Sequence, residues 1–208
     1  DLYVPGAPDY IPKAERDDAI DTKSVKIIAY LIPVIAVQHG NPKNIQSLSD
    51  LAKPGLKIGI GNPDAVCLGL YAVEILDYNH LLAEVGKNIA TQAESCEKTA
   101  TLLSLKSVDT VIGWHVFHDW DANNIDVVYL KPEQIPRIAY IPAAISTFAK
   151  DRDSAQKFID FLVSKQGQDI FSKWGYITTE SEARKFAPNA ETGGEYELPD
   201  TYYELLGK

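Results

Sequence analysis

Lys57-Ile58-Gly59-Ile60-Gly61-Asn62-Pro63-Asp64-Ala65-Val66-Cys67-Leu68-Gly69-Leu70-Tyr71-Ala72-Val73-Glu74-Ile75-Leu76 changes its hydrophobic period in the middle. Up to Ile60 the residues alternate as in a strand. Beyond Pro63, Leu68, Tyr71, Ala72, Ile75 and Leu76 fall at i, i+3, i+4, i+7 and i+8, one face of an amphipathic helix. Between the two lies a short turn rich in glycine, asparagine and proline. The stretch therefore reads as strand, loop and helix, the repeating step of an α/β fold.

Working outward, Gly40-Asn41-Pro42 is a turn, and Ser47 to Leu51 is a short helical turn stopped by Pro54-Gly55. A second helix opens near Cys96 to Lys98 and runs through Leu102 and Leu103. Strands are expected at 110–114 and 125–130. Ala155, Phe158, Ile159, Leu162 and Val163 mark a helix capped by Ser154 or Asp153. Another, after Gly167, includes Ile170, Phe171 and Trp174 and is ended by Gly175. The opening reads as a strand at Leu2-Tyr3-Val4, a turn at Pro5-Gly6-Ala7-Pro8 and a helical stretch from about Asp9.

Two extended segments, 24–38 and 138–146, carry Pro33 and Pro142 and suit crossovers between lobes, because proline is tolerated at an edge or bend. The expected architecture is a largely parallel α/β protein of two lobes. The first combines 1–33 with 133–208, including a polar tail from Ala187, and the second spans 34–132.

The chain has 208 residues, a formal net charge of −9, two cysteines and no methionine. A nucleic-acid partner calls for a basic footprint, which is missing. A small anion is still a permitted ligand, because backbone N–H groups and helix N-termini bind anions without lysine or arginine. No apolar run reaches the ~18–20 residues that span a bilayer. Cys67 and Cys96 are compatible with one disulfide or with two free thiols.

The loop that opens onto the helix at Cys67 offers unpaired first-turn N–H donors at the carboxyl end of a strand, where ligands of open α/β sheets collect. It is neither a Walker loop nor a dinucleotide G-x-G-x-x-G loop. Glu94-Ser95-Cys96-Glu97-Lys98-Thr99 is a second loop opening onto a helix, and two such starts facing one point would favour an anion. The strand ending at Gly113-Trp114-His115 would come up beside them, with one donor in the Trp114 indole. Cys67, Cys96, His115 and His118 are soft or imidazole ligands, but no C-x2-C or H-x3-H pair occurs, so no metal site is expected. No G-x-S-x-G or H-E-x-x-H motif is present, and no catalytic residue or cofactor is expected.

Residues 32–76, IPVIAVQHGNPKNIQSLSDLAKPGLKIGIGNPDAVCLGLYAVEIL, resemble the molybdate/tungstate-binding proteins of ABC importers, with their "sLxDLakPg" helix and "gdP…GxYA" loop. DLYVPGAPDYIPKA (1–14) resembles the segment before the first crossover. AQKFIDFLVSKQGQDIFSKWGY (155–176) resembles the closing "FxxFLxSxxGQxIfxkyGY" helices.

The resemblance implies a hinged, two-lobed periplasmic-binding-protein-like fold that closes on a tetrahedral oxyanion held by neutral donors. Carried over by position, Leu68 and Cys96 supply backbone N–H groups, with Cys67 in the same helix start. Trp114 falls near the family's tyrosine, a departure that changes the donor. Asp64 and Glu97 are the carboxylates nearest the place where some relatives add one to the oxyanion's metal. Members of the family begin with a further β-α-β unit carrying serine-type donors. On this resemblance the first lobe is expected to be incomplete and the N-terminal segment missing, and such a fragment is expected to bind poorly.

The implied protein is a non-enzymatic monomer, periplasmic or extracellular, whose partners are the oxyanion and a membrane permease. The alternatives are a binder of sulfate, phosphate or a chelated metal, the sensing domain of a transcriptional regulator, or, third, a redox or metal-handling role through Cys67 and Cys96.

Overall fold

The computed structural model describes residues 1–205, which form two compact units: Asp1–Leu31 with Arg137–Glu195, and Ile32–Pro136 with the segment from Tyr196. In chain order the elements are β1 (Leu2–Tyr3), α1 (Tyr10–Arg16) and β2 (Ile20–Leu31), then β3 (Pro33–Gln38), a 3-10 turn (Leu48–Ala52) and β4 (Ile58–Gly61). There follow α2 (Cys67–Tyr78), α3 (Leu82–Gly86), β5 (Ile89–Ala93), α4 (Cys96–Ser104), β6 (Thr110–Trp114), α5 (Phe117–Trp120) and β7 (Ile125–Tyr129). The chain then re-enters the first unit through β8 (Arg137–Ser146), α6 (Arg152–Val163), α7 (Lys165–Ser172), α8 (Glu180–Ala183) and β9 (Glu191–Thr192), and α9 (Asp200–Leu205) belongs to the second.

The second unit is built on a five-stranded sheet in the order β5-β4-β6-β3-β7. Its inner strands read as continuous apolar runs because both faces are covered. Val34, Ile35, Ala36 and Val37 of β3 and every residue of β6 are buried. The buried Thr110 hydroxyl donates to the Ala36 carbonyl at 2.8 Å, so its polarity costs little.

The sheet is mixed and does not match the largely parallel arrangement expected. β4 runs parallel to β5 and β6, but β3 is antiparallel to both β6 and β7. Pro33 is accommodated in this inner strand because it is the first residue. It pairs with Trp114 on one side only, and pairing with β7 begins at Val34.

In the first unit β8 is flanked by β1 and β2, both antiparallel to it, and β9 adds a short parallel pairing. Helix α6 lays Ala155 and Ile159 on Ile28, Ala29, Ala143 and Ile145. Its cap is Asp151, whose carboxylate accepts from Ser154 N at 3.0 Å, in place of the Ser154 or Asp153 expected. Helix α7 starts ahead of the expected Gly167, at the cap residue Ser164.

The tail is also divided otherwise than expected: residues through Glu195 pack with the first unit and those from Tyr196 with the second. The Tyr202 hydroxyl accepts from Gln92 Nε2 at 2.8 Å there.

One ion pair anchors the first unit. Arg137, at the head of β8, donates through Nη1 to Asp9 Oδ1 at 2.8 Å and to the Gly194 carbonyl at 2.7 Å. Both side chains are buried. Burial pushes the Asp9 carboxyl above its ordinary value, and the guanidinium pulls the other way. Removing one partner strands the other charge. Arg137→Met is therefore expected to cost about 3–5 kcal/mol in urea unfolding, and adding Asp9→Asn is expected to recover part of that loss.

Candidate functional site

The site begins at the carboxyl end of β4. Gly61 pairs with Ala93 at the end of the neighbouring parallel strand β5, so the loops that follow leave the sheet side by side. Asn62 joins them. Its N–H donates to the Ala93 carbonyl at 2.7 Å, and its side-chain amide donates to Glu94 Oε1 at 3.1 Å. The same residue shapes its own loop, since Oδ1 accepts from Asp64 N at 3.1 Å and its carbonyl accepts from Val66 N at 2.7 Å. Each loop then opens onto a helix, α2 at Cys67 and α4 at Cys96.

The approach of α2 to β4 is close enough to require glycine. A Cβ on Gly69 would stand 2.3 Å from the Gly61 carbonyl oxygen and 2.6 Å from Pro63 N, and one on Gly61 would stand 2.9 Å from Gly69 N. With helix and strand end in backbone contact, the first turn of α2 is fixed relative to the sheet.

By position, the first-turn N–H groups of Cys67 and Leu68 in α2, and of Cys96 and Glu97 in α4, have no carbonyl partner inside their helices. In α4 the Ser95 side chain accepts from Lys98 N at 3.1 Å, which satisfies one donor of that turn. With 12 and nine residues respectively, both helices are long enough to carry a useful dipole.

Cys67, Cys96 and Trp114 come together. Both cysteines are free thiols, Cys67 buried and Cys96 half-buried. The neighbouring Cys67 side chain, able to donate to the ionised sulfur, holds the Cys96 thiol below its ordinary value against the opposing effect of burial. The nearby Trp114 indole adds to the lowering, and the Glu97 carboxylate works against it.

Trp114 is 1% exposed, and among the described residues its Nε1 makes no hydrogen bond of ordinary geometry. The indole N–H is thus close enough to favour a Cys96 thiolate without being spent on the neutral thiol. The Tyr71 ring packs edge-on against the indole at 5.1 Å between centroids.

Leu68 is fully buried, so only its backbone can serve a ligand. Asp64 and Glu97 are exposed. The charge of Asp64 acts on the Tyr202 hydroxyl, and that of Glu97 acts on Cys96. The reading from sequence did not single out Asn62 as the residue that ties the loops, nor Tyr71 as the partner of Trp114.

The histidines are committed elsewhere. His115 Nδ1 accepts from Ile32 N at 3.1 Å while its own N–H donates to the Ile32 carbonyl at 3.0 Å, which leaves the proton of the neutral ring on Nε2. His118 Nδ1 lies 2.7 Å from the Ile125 carbonyl. Among the described residues no cluster of three or more His, Cys, Asp or Glu could hold a metal ion.

Residues 1–177 match the family described as bacterial extracellular solute-binding protein. A Haemophilus influenzae protein provisionally named a binding protein is 23% identical over 177 residues, covering 85% of this chain and 71% of its own length. Among solved structures, the substrate-binding domain of a provisionally assigned molybdenum ABC transporter from Clostridium difficile superposes with a TM-score of 0.67 at 21% identity, over 86% of this chain and 77% of that one. The sulfate-binding protein SubI of Mycobacterium tuberculosis gives 0.74 at 15% identity, over 92% and 75%. At these identities the structural likeness is one of fold.

The Gly69–Gly61 contact gives a direct test of how the site is built. Gly69→Ala places its methyl against backbone that has no rotamer to yield. It is expected to lower stability by about 1–3 kcal/mol in denaturant unfolding.

Proposed function

We propose that this chain, which belongs to the bacterial extracellular solute-binding protein family, captures a tetrahedral oxyanion of the molybdate or tungstate type for an ABC importer. The observation that carries this reading is the pair of helix N-termini joined through Asn62, whose first-turn donors are neutral main-chain groups. Such donors hold a fully ionised anion without a counter-charge, and their preorganisation on rigid elements removes the cost of gathering them.

Leu68 and Cys96 give their backbone N–H groups. Cys67 and Trp114 form the wall behind Cys96, and Asp64 and Glu97 stand at the exposed rim. The fold is shared with a sulfate binder, so selection among oxyanions rests on the spacing of the donors, which suits one anion radius and leaves others underbonded. The site asks for no catalytic group, and the chain acts by binding. Its place is outside the cytoplasm, delivering to a membrane permease as a monomer. Among the described residues no helix is long and apolar enough to cross a membrane.

Calorimetric titration of the full protein with molybdate, tungstate, sulfate and phosphate tests the proposal. Binding of the first two at micromolar or tighter, about −8 kcal/mol or stronger, is expected. Heat from none of the four would sink the oxyanion reading.

The donor itself is tested by Cys96→Pro. Ser95 is extended, with φ −156° and ψ 162°, as the residue before a proline should be, and proline is at home in the first helical position. The variant keeps the helix and deletes one N–H, and a loss of roughly 10- to 150-fold in affinity is expected, with Cys96→Ala as the control that retains the donor. Affinity should also fall as pH rises through the lowered Cys96 titration, because a thiolate beside the anion repels it. That pH dependence should vanish in Cys96→Ala.

A further inference from the structure

We infer that Cys67 and Cys96 are a redox-active pair, in which Cys96 attacks an external disulfide and Cys67 resolves the product into an internal, reversible disulfide.

The fold brings the two sulfurs together from separate elements. Gly61 and Ala93 are register partners on adjacent parallel strands, the loops beyond them are tied through Asn62 to Ala93 and Glu94, and each cysteine is the first residue of the helix that its loop opens onto. The Cys67 side chain lies close enough to the Cys96 sulfur to favour its ionised form.

Their environments differ as the two roles require. Cys96 is half-buried and the more exposed of the two, whereas Cys67 is 3% exposed and shielded from bulky reagents. Cys96 also has the surroundings that favour a thiolate: the first turn of a nine-residue helix, the Cys67 thiol, and an indole N–H that is buried and has no other partner among the described residues. A low-pKa, accessible sulfur beside a buried second one is the arrangement that oxidises reversibly instead of running on to sulfinic acid.

The chemistry balances with a low-molecular-weight disulfide as oxidant. The Cys96 thiolate attacks one sulfur of the reagent, the reagent S–S bond breaks, and a Cys96 mixed disulfide forms as the first thiolate leaves. Cys67 then loses its proton to water and attacks the Cys96 sulfur, expelling the second thiolate. The net change is two protein thiols to one disulfide, and one reagent disulfide to two thiols. Dithiothreitol reverses it by the same steps. The inference is independent of which solute the chain binds.

The test uses the folded, reduced protein incubated with oxidised glutathione, trapped with iodoacetamide at intervals and read by intact mass. Wild type is expected to lose both reactive thiols and two hydrogens, with no glutathione retained, and to recover on dithiothreitol. Cys67→Ser should accumulate one glutathione on Cys96. Cys96→Ser, keeping only the shielded sulfur, should react at least about ten-fold more slowly. Wild type that ends as stable glutathione adducts, or two single variants that react equally fast, would overturn the proposal. Should a variant not fold, alkylation of reduced wild type mapped to each cysteine decides. Cys96 labelling first, with its rate rising at a pH below that of an ordinary thiol, supports the pair, and equal labelling of both sulfurs refutes it.

Discussion

The candidate site depends on one backbone contact, the seating of Gly69 against Gly61, Asn62 and Pro63. A helix can lie this near a strand end only where no side chain intervenes, and a Cβ on Gly69 would fall 2.3 Å from a carbonyl oxygen. Once α2 is seated, the turn from Gly61 to Val66 has little freedom. Asn62 then has its N–H, carbonyl and amide all committed, two of them to the neighbouring β5 loop. The start of α4 is placed relative to the start of α2 by the same residue. Donors gathered this way belong to main chain on rigid elements, which hold a site more closely than mobile side chains can.

The charge pattern follows from that choice. A protein of net charge −9 is an unpromising host for an anion if the anion must be neutralised by lysine or arginine. On the proposed reading first-turn N–H groups avoid the difficulty, because they are fixed dipoles that add no net charge. The arrangement has costs. The Trp114 indole N–H is buried with no hydrogen bond of ordinary geometry among the described residues, a loss of about 1–3 kcal/mol on general grounds. Tyr71 edge-packing returns part of it.

What the sequence discloses here tracks the physical origin of each feature. The helix from Cys67 is legible because Leu68, Tyr71, Ala72, Ile75 and Leu76 repeat at the helical period, and the structure buries all five. The start of the second helix is legible only to within Cys96 to Lys98, from the loop that opens onto it; the structure starts it at Cys96. The direction of β3 is not. PVIAVQ is apolar on both faces whether its neighbours run parallel or antiparallel, so periodicity carries no sign of direction. Pro33 points to an edge by its missing donor, yet first position in an inner strand serves equally well. The role of Asn62 escapes sequence reading because its partners, Ala93 and Glu94, lie some thirty residues away and become neighbours only through the β4–β5 pairing. Trp114 and Tyr71 read as core from their character alone. That one indole N–H would face a thiol is a fact of packing.

The two proposals for this site draw on a single resource, the partial positive charge of the helix starts. An oxyanion resting on the Cys96 N–H and a thiolate on the Cys96 sulfur both seek it, and like charges at such a distance oppose each other. If both proposals hold, an occupied site would hold Cys96 protonated, and a protonated thiol is a poor nucleophile, so the bound anion would protect the pair from oxidation. In the reverse direction, a disulfide carries no charge and takes no proton. Oxidation removes the competitor for the helix dipoles and at the same time pins the two helix starts at a fixed spacing. Whether the anion gains or loses then turns on geometry alone, since the electrostatic conflict has been cancelled. Linkage makes the two effects reciprocal: whatever factor oxidation contributes to anion affinity, the anion must contribute to the equilibrium of the thiol pair.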